Sequence, residues 1–240
     1  MTRERYELAL AVVSEQLKQE FGNDLLGLLF AGSAAYGTPM KTSDLDLFVL
    51  IAHPWRQRRN VVVEGVEVEL FINPLEQIRK KLKRSYNSTI EMFARGRIVH
   101  DPQGLLTELQ AEARQIASRP PVPPTDQYFV RYKPSDALRD AEDLMDVDPQ
   151  AASLQLSVAL REALEAMFLC EGRRPPKAKH LLQQVAEHAP DIAADARTVL
   201  DGSVPLEERI EILRTVTDRI LAPVGGILLE GETAPEPVTD

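Results

Sequence analysis

The sequence has one cysteine in 240 residues, Cys170, so the chain cannot close a disulfide on itself. A chain without internal disulfides suits a reducing compartment, and a cytoplasmic location is expected. No apolar run approaches the roughly 18 uninterrupted residues of a spanning helix, so a helical membrane span is excluded and no membrane partner is expected. The opening residues, Met1 to Glu7, pass directly into a charged helical pattern without the apolar core of a signal peptide. The four histidines, His53, His100, His180 and His188, lack the spacing of a metal-ligand set. No internal repeat is visible.

What is present is ordinary in amount and uneven in distribution. Hydrophobic residues make up 44% and charged residues 27%, the composition of a globular domain, and the length allows one large domain or two small ones. The net charge is −9, but residues 1–124 hold 16 Lys and Arg against 15 Asp and Glu, whereas residues 125–240 hold 12 against 22. An acidic half repels phosphate backbones, which argues against a nucleic-acid partner. It suits either a solvated surface or a cationic ligand.

The pattern along the chain alternates and then turns helical. A helix is expected over 4–21, with Leu8, Val12, Leu17 and Phe21 near one face, stopped by Gly22-Asn23. Leu25–Ala31 and Leu45–Ala52 read as buried strands, and 61–72 as a Val-rich hairpin turning at Gly65. One helix is expected from Pro74 to about Phe93, a short strand over 96–101, and a further helix over 103–117. Strands interleaved with helices give an α/β or α+β domain over 1–118. Four prolines in 119–125 mark a stiff linker. Beyond it, helices at about 126–146, 149–171, 178–188, 190–200 and 205–222 form an all-α bundle over 126–230, and 231–240 is a disordered, Pro- and acid-rich tail.

The chemistry concentrates in one segment, from Phe30-Ala-Gly-Ser to Ser43-Asp-Leu-Asp-Leu-Phe48. Residues i and i+2 of a strand project from one face, so Asp44 and Asp46 can meet one ion. Two carboxylates on an apolar strand are costly without a counter-charge, and Mg²⁺, which takes a few hard oxygens together with substrate phosphates, is the natural one. Gly32 lets the backbone come close to a phosphate, and Ser33 offers an N–H and a hydroxyl there. Glu69 on the next Val-rich strand can bring a third carboxylate. Glu67 lies on the same strand face as its rival, and Glu69 is preferred because Leu70-Phe-Ile follows it into the core.

These residues resemble the polymerase-β-like nucleotidyltransferases, whose pattern is Gly-Ser, nine to thirteen residues, Asp-x-Asp, then an acidic residue on a later strand. Here Gly32-Ser33 is followed by nine residues, then Ser43-Asp44-Leu45-Asp46 and Glu67 or Glu69. The gap, the passage Ile98-Val-His-Asp-Pro-Gln-Gly-Leu-Leu106 and the helical second half are similar to the kanamycin-type aminoglycoside nucleotidyltransferases. The motif match covers about 30–105; the C-terminal half is similar only in architecture.

The resemblance implies a mixed sheet and transfer of a nucleoside monophosphate, AMP by preference, from ATP or another nucleoside triphosphate to a hydroxyl of a small acceptor, with pyrophosphate released. The acceptor would be of the aminoglycoside kind, which implies antibiotic resistance as the setting. It implies two Mg²⁺ ions held by Asp44, Asp46 and Glu69, with Gly32, Ser33, Lys41 and Ser43 on the nucleotide. Lys41 reads equally as an exposed turn residue. The matching general base is Asp140, on a helix face it shares with Asp136 and Asp143, although the family's lysine one turn later is Leu144 here. A homodimer is a further implication.

Two other readings keep parts of this scheme. One modifies a protein hydroxyl, as toxin–antitoxin-type nucleotidyltransferases do, and one binds nucleotide without turnover. Residues 151–200 resemble a HEPN-like bundle in shape, but Arg174-Pro-Pro in a loop cannot present Arg174 and His180 as a ribonuclease helix does. The basic run 79–84, with Arg56, Arg58 and Arg59, reads as a solvated face because Tyr86 is its only near aromatic.

Overall fold

A computed structural model describes residues 2–83, 87–119 and 127–233. The chain divides into two compact units, 1–119 and 120–240. Apart from Arg119, the expected Pro-rich linker lies outside the described residues, as does the expected tail from residue 234 onward.

The first unit opens with α1 (Arg3–Phe21), then β1 (Leu25–Ala31), a single helical turn α2 (Gly32–Ala35), β2 (Leu45–Ile51), β3 (Gln57–Val63) and β4 (Val66–Pro74). It closes with α3 (Leu75–Leu82), α4 (Ser88–Arg95), β5 (Arg97–His100) and α5 (Leu105–Ala117). The strands form one mixed sheet in the order β3-β4-β2-β1-β5. Only β2 and β4 run parallel; the other pairs are antiparallel.

Each face of the sheet has its own apolar layer, because side chains alternate along a strand. On one face α1 packs Tyr6, Leu10, Val13 and Leu17 against Leu28, Phe30, Leu47, Val49, Leu70 and Ile72. On the other, α3, α4 and α5 pack Ile78, Leu82, Ile90, Phe93, Leu106 and Leu109 against Leu29, Ala31, Phe48 and Leu50.

Two expectations need correction. The buried face of α1 is Tyr6, Ala9, Leu10, Val13, Leu17 and Phe21; Leu8 is exposed and Val12 only partly covered. The inward stripe is set by the sheet beneath it, and Leu8 falls outside its arc. The single helix expected over 74–93 is two helices. Asn87 is the reason: its side-chain oxygen accepts from the amides of Thr89 (3.0 Å) and Ile90 (3.4 Å), opening a new helix. The hairpin turns at Glu64 and Gly65, both with positive φ (52° and 68°), the twist that suits a two-residue connection.

The described residues of the second unit form five α-helices: α6 (Tyr128–Leu144), α7 (Pro149–Cys170), α8 (Ala178–His188), α9 (Pro190–Leu200) and α10 (Leu206–Leu221). Asp148 caps α7 through the amides of Gln150 and Ala151, and Pro149 pre-sets its first turn. Leu138, Leu156, Leu160, Leu164, Phe168, Val185, Leu213 and Leu221 share the core of this bundle. No described helix is long and apolar enough to cross a membrane.

Candidate metal centre

The register of the sheet assembles the acidic residues. Asp44 immediately precedes β2, Asp46 is its second residue, and the parallel pairing sets Asp46 beside Glu69 of β4. Carboxylate oxygens of Asp44, Asp46 and Glu69 lie within 4.8 Å of one another. Asp46 is 8% exposed in an otherwise apolar strand. Glu67, the rival of Glu69, is exposed, pairs with Val62 of β3 and is not part of this group.

Beneath the carboxylates the same face is aromatic. Phe48 stacks on Phe71 with centroids 4.6 Å apart, and Phe93 of α4 meets Phe48 edge-on at 5.0 Å. A rigid apolar floor of this kind fixes the direction of the acidic side chains just above it. It also lowers the local dielectric, so uncompensated charge there is costly.

The chain around Gly32 completes the site. Gly32 has φ +76°, and a Cβ built on it would fall 1.8 Å from Asp46 Oδ2. The backbone therefore passes against the carboxylate at a distance that only glycine permits. Ser33 Oγ donates to Ser43 Oγ (2.9 Å), which also accepts from the Met40 amide (2.8 Å), so the two serines clasp the 36–44 loop to the Gly-Ser turn. The Tyr6 hydroxyl of α1 donates to the Ser43 carbonyl at 2.8 Å. Burial, with the charge of Asp44 nearby, raises the Tyr6 hydroxyl pKa, so it stays a donor at neutral pH.

Arg58 of β3 lies at the edge of the group, with Nη2 3.2 Å from Glu69 Oε1 and its guanidinium 4.1 Å above the Phe71 ring. The sequence showed Arg58 only as part of a basic run; its alternation with Arg59 on a strand is the signal that separates the two. Tyr6 carried no such signal, because its contact spans 37 residues. Lys41 is exposed on a turn, and among the described residues no ion pair joins it to a carboxylate. Asp140 belongs to the second unit, exposed on α6, where it accepts from Gln155 Nε2 at 3.2 Å.

An all-oxygen set of three clustered carboxylates fits a hard divalent cation such as Mg²⁺ or Mn²⁺. Its anionic charge and apolar setting would both be relieved by such an ion.

Comparison with known proteins gives a domain match and a likeness of fold. Residues 10–98 match the family model of the nucleotidyltransferase domain. That stretch contains Gly32, Ser33, Asp44, Asp46 and Glu69. The chain is also similar to the crystal structure of a nucleotidyltransferase-like protein from Exiguobacterium sibiricum, with a TM-score of 0.54 and 16% identity, over 90% of this chain and 74% of that one. That likeness is one of fold. No curated protein matches the sequence.

Proposed function

We propose that the chain is a divalent-metal-dependent nucleotidyltransferase, moving a nucleoside monophosphate from a nucleoside triphosphate to a hydroxyl of a small acceptor and releasing pyrophosphate. The observation that carries this reading is the convergence of Asp44, Asp46 and Glu69 beside Gly32-Ser33, inside the stretch that matches the nucleotidyltransferase domain. ATP is the preferred donor and AMP the preferred group.

In this reading Asp44, Asp46 and Glu69 hold Mg²⁺, which when bound supplies charge neutralisation for the triphosphate and its leaving oxygens. Gly32 keeps the main chain low enough for a phosphate to reach the carboxylates. Ser33, whose hydroxyl donates to Ser43, directs its backbone amide to the phosphate oxygens. Phe48 and Phe71 keep Asp46 and Glu69 in a fixed direction, so little reorganisation accompanies the reaction. The acceptor is a small cationic polyol of the aminoglycoside kind, a class that the acidic second half of the sequence supports. Asp140 is the carboxylate assigned to take the acceptor proton.

The test is pyrophosphate release from each of the four nucleoside triphosphates with Mg²⁺ and a panel of aminoglycosides and lincosamides. We expect acceptor-dependent release that Asp44→Asn/Asp46→Asn abolishes. Asp140→Asn should slow turnover while leaving nucleotide binding in place. Nucleotide binding without release across the panel would contradict the small-acceptor reading.

A further inference from the structure

Cations crowd one side of the acidic group, and they are not spent alike. Along β3 the side chains alternate, so Arg58 and Arg59 leave on opposite faces. Arg59 is committed elsewhere: both of its terminal nitrogens donate to the Glu20 carboxylate of α1, at 2.7 and 2.8 Å. Arg58 is on the face of the carboxylates, 57% exposed in its side chain, with Glu69 at 3.2 Å and the Phe71 ring beneath it. Arg56 and Lys81 lie close by. Burial, and then the charges of Arg56 and Arg58, push the Lys81 ammonium down. Arg58 thus belongs to a cluster of three positive groups and, through its ion pair with Glu69, ties that cluster to the carboxylates.

We propose that Arg58 is a displaceable counter-cation: it holds Glu69 in the metal-free chain, yields that carboxylate to the divalent ion, and then binds the triphosphate oxygens from its perch on Phe71. The proposal rests on the nucleotidyltransferase reading and assigns a residue that the sequence motif does not contain. The Arg58–Glu69 pair is at a solvent-exposed edge, and pairs of that kind contribute at most about 1 kcal/mol. A divalent ion engaging three carboxylates at once outcompetes it. The Phe71 ring is a second anchor that does not depend on Glu69, so the guanidinium stays in place when the carboxylate is taken. A guanidinium so held presents a flat fork of N–H donors, the geometry that phosphate oxygens accept two at a time. Arg56 and Lys81 extend the same positive edge along the polyphosphate.

The two halves of the proposal predict opposite effects of one substitution. Calorimetric titration of the full chain with Mn²⁺ alone should show Arg58→Ala binding the ion about three- to five-fold more tightly than the unsubstituted chain, because a competitor for Glu69 has gone. Titration with a non-hydrolysable α,β-methylene nucleoside triphosphate in Mg²⁺ should show the same variant binding about ten-fold more weakly. Arg58→Lys, which keeps the charge and loses the fork, should retain part of the nucleotide affinity. Arg59→Ala, which removes a charge from the other face of β3, should change neither titration. The inference is overturned if Arg58→Ala binds Mn²⁺ no more tightly, or binds the analogue as well as the unsubstituted chain. If Asp44→Asn/Asp46→Asn leaves Mn²⁺ binding intact, the carboxylate site itself is misassigned and both readings fall.

Discussion

Gly32 is the residue on which the site turns. Its φ of +76° and the 1.8 Å separation between an added Cβ and Asp46 Oδ2 mean that any side chain there must move the carboxylate or the main chain. A non-glycine residue in this region costs on the order of 1–2 kcal/mol. That is affordable for a folded unit, and at this chain length it lowers Tm by only a few degrees. On the nucleotidyltransferase reading, displacing the Asp46 carboxylate by about an ångström is far more damaging, at roughly 100-fold in rate. Gly32→Ala is therefore expected to fold, melt a few degrees lower by calorimetry, and lose at least about 100-fold in pyrophosphate release. A variant that melts normally and turns over normally would show that the close approach of Gly32 to Asp46 does not matter. Gly32, Ser33, Asp44 and Asp46 could be proposed from the sequence because their placement depends on local spacing. The sequence left Glu67 and Glu69 nearly equal, since both sit on one strand face, and only the pairing of Asp46 with Glu69 across β2 and β4 separates them.

At the scale of the element, the site depends on helices packed behind its aromatic floor. Phe93 supports the aromatic floor from α4, and Gln110 of α5 holds the end of α4 by donating to the carbonyls of Phe93 (3.0 Å) and Gly96 (2.7 Å). The start of α5 is fixed by Asp101, whose carboxylate accepts from the amides of Leu106 and Thr107 and from the Thr107 hydroxyl. Burial works against the Asp101 charge, but the Thr107 hydroxyl and these two amides outweigh it and hold the carboxyl below its usual range. A lowered folded-state pKa stabilises the fold above the unfolded value, about 3.9, and that contribution is lost as pH falls through the folded value. Asp101→Ala should cost about 1 kcal/mol at pH 7, and the gap to the unsubstituted chain should close in strong acid. Denaturant melts at pH 7 and pH 2.5 measure both; a gap that persists unchanged at pH 2.5 would contradict the assignment. Strand and helix positions were legible from apolar periodicity in most of the chain. The break between α3 and α4 was not, because the continuing apolar pattern hid the cap at Asn87.

For the whole molecule, the sequence divided the acidic helical half from the near-neutral α/β half, and the chain falls into compact units at residue 119. The mixed character of the sheet came from a resemblance rather than from periodicity. Strand order is a matter of long-range pairing, and alternation along one strand does not encode its neighbour. The acceptor was no more legible than the strand order: an acidic half suits a solvated surface as well as a cationic ligand and names no molecule. The central claim, that Asp44, Asp46 and Glu69 serve transfer of a nucleotidyl group, is tested most directly by following the label. The full chain with Mg²⁺, an aminoglycoside and ATP labelled at the α-phosphate should give a labelled acceptor, whereas label at the γ-phosphate should leave as pyrophosphate. Asp44→Asn/Asp46→Asn should give neither. Release of γ-label as inorganic phosphate, with no α-label on the acceptor, would contradict the account.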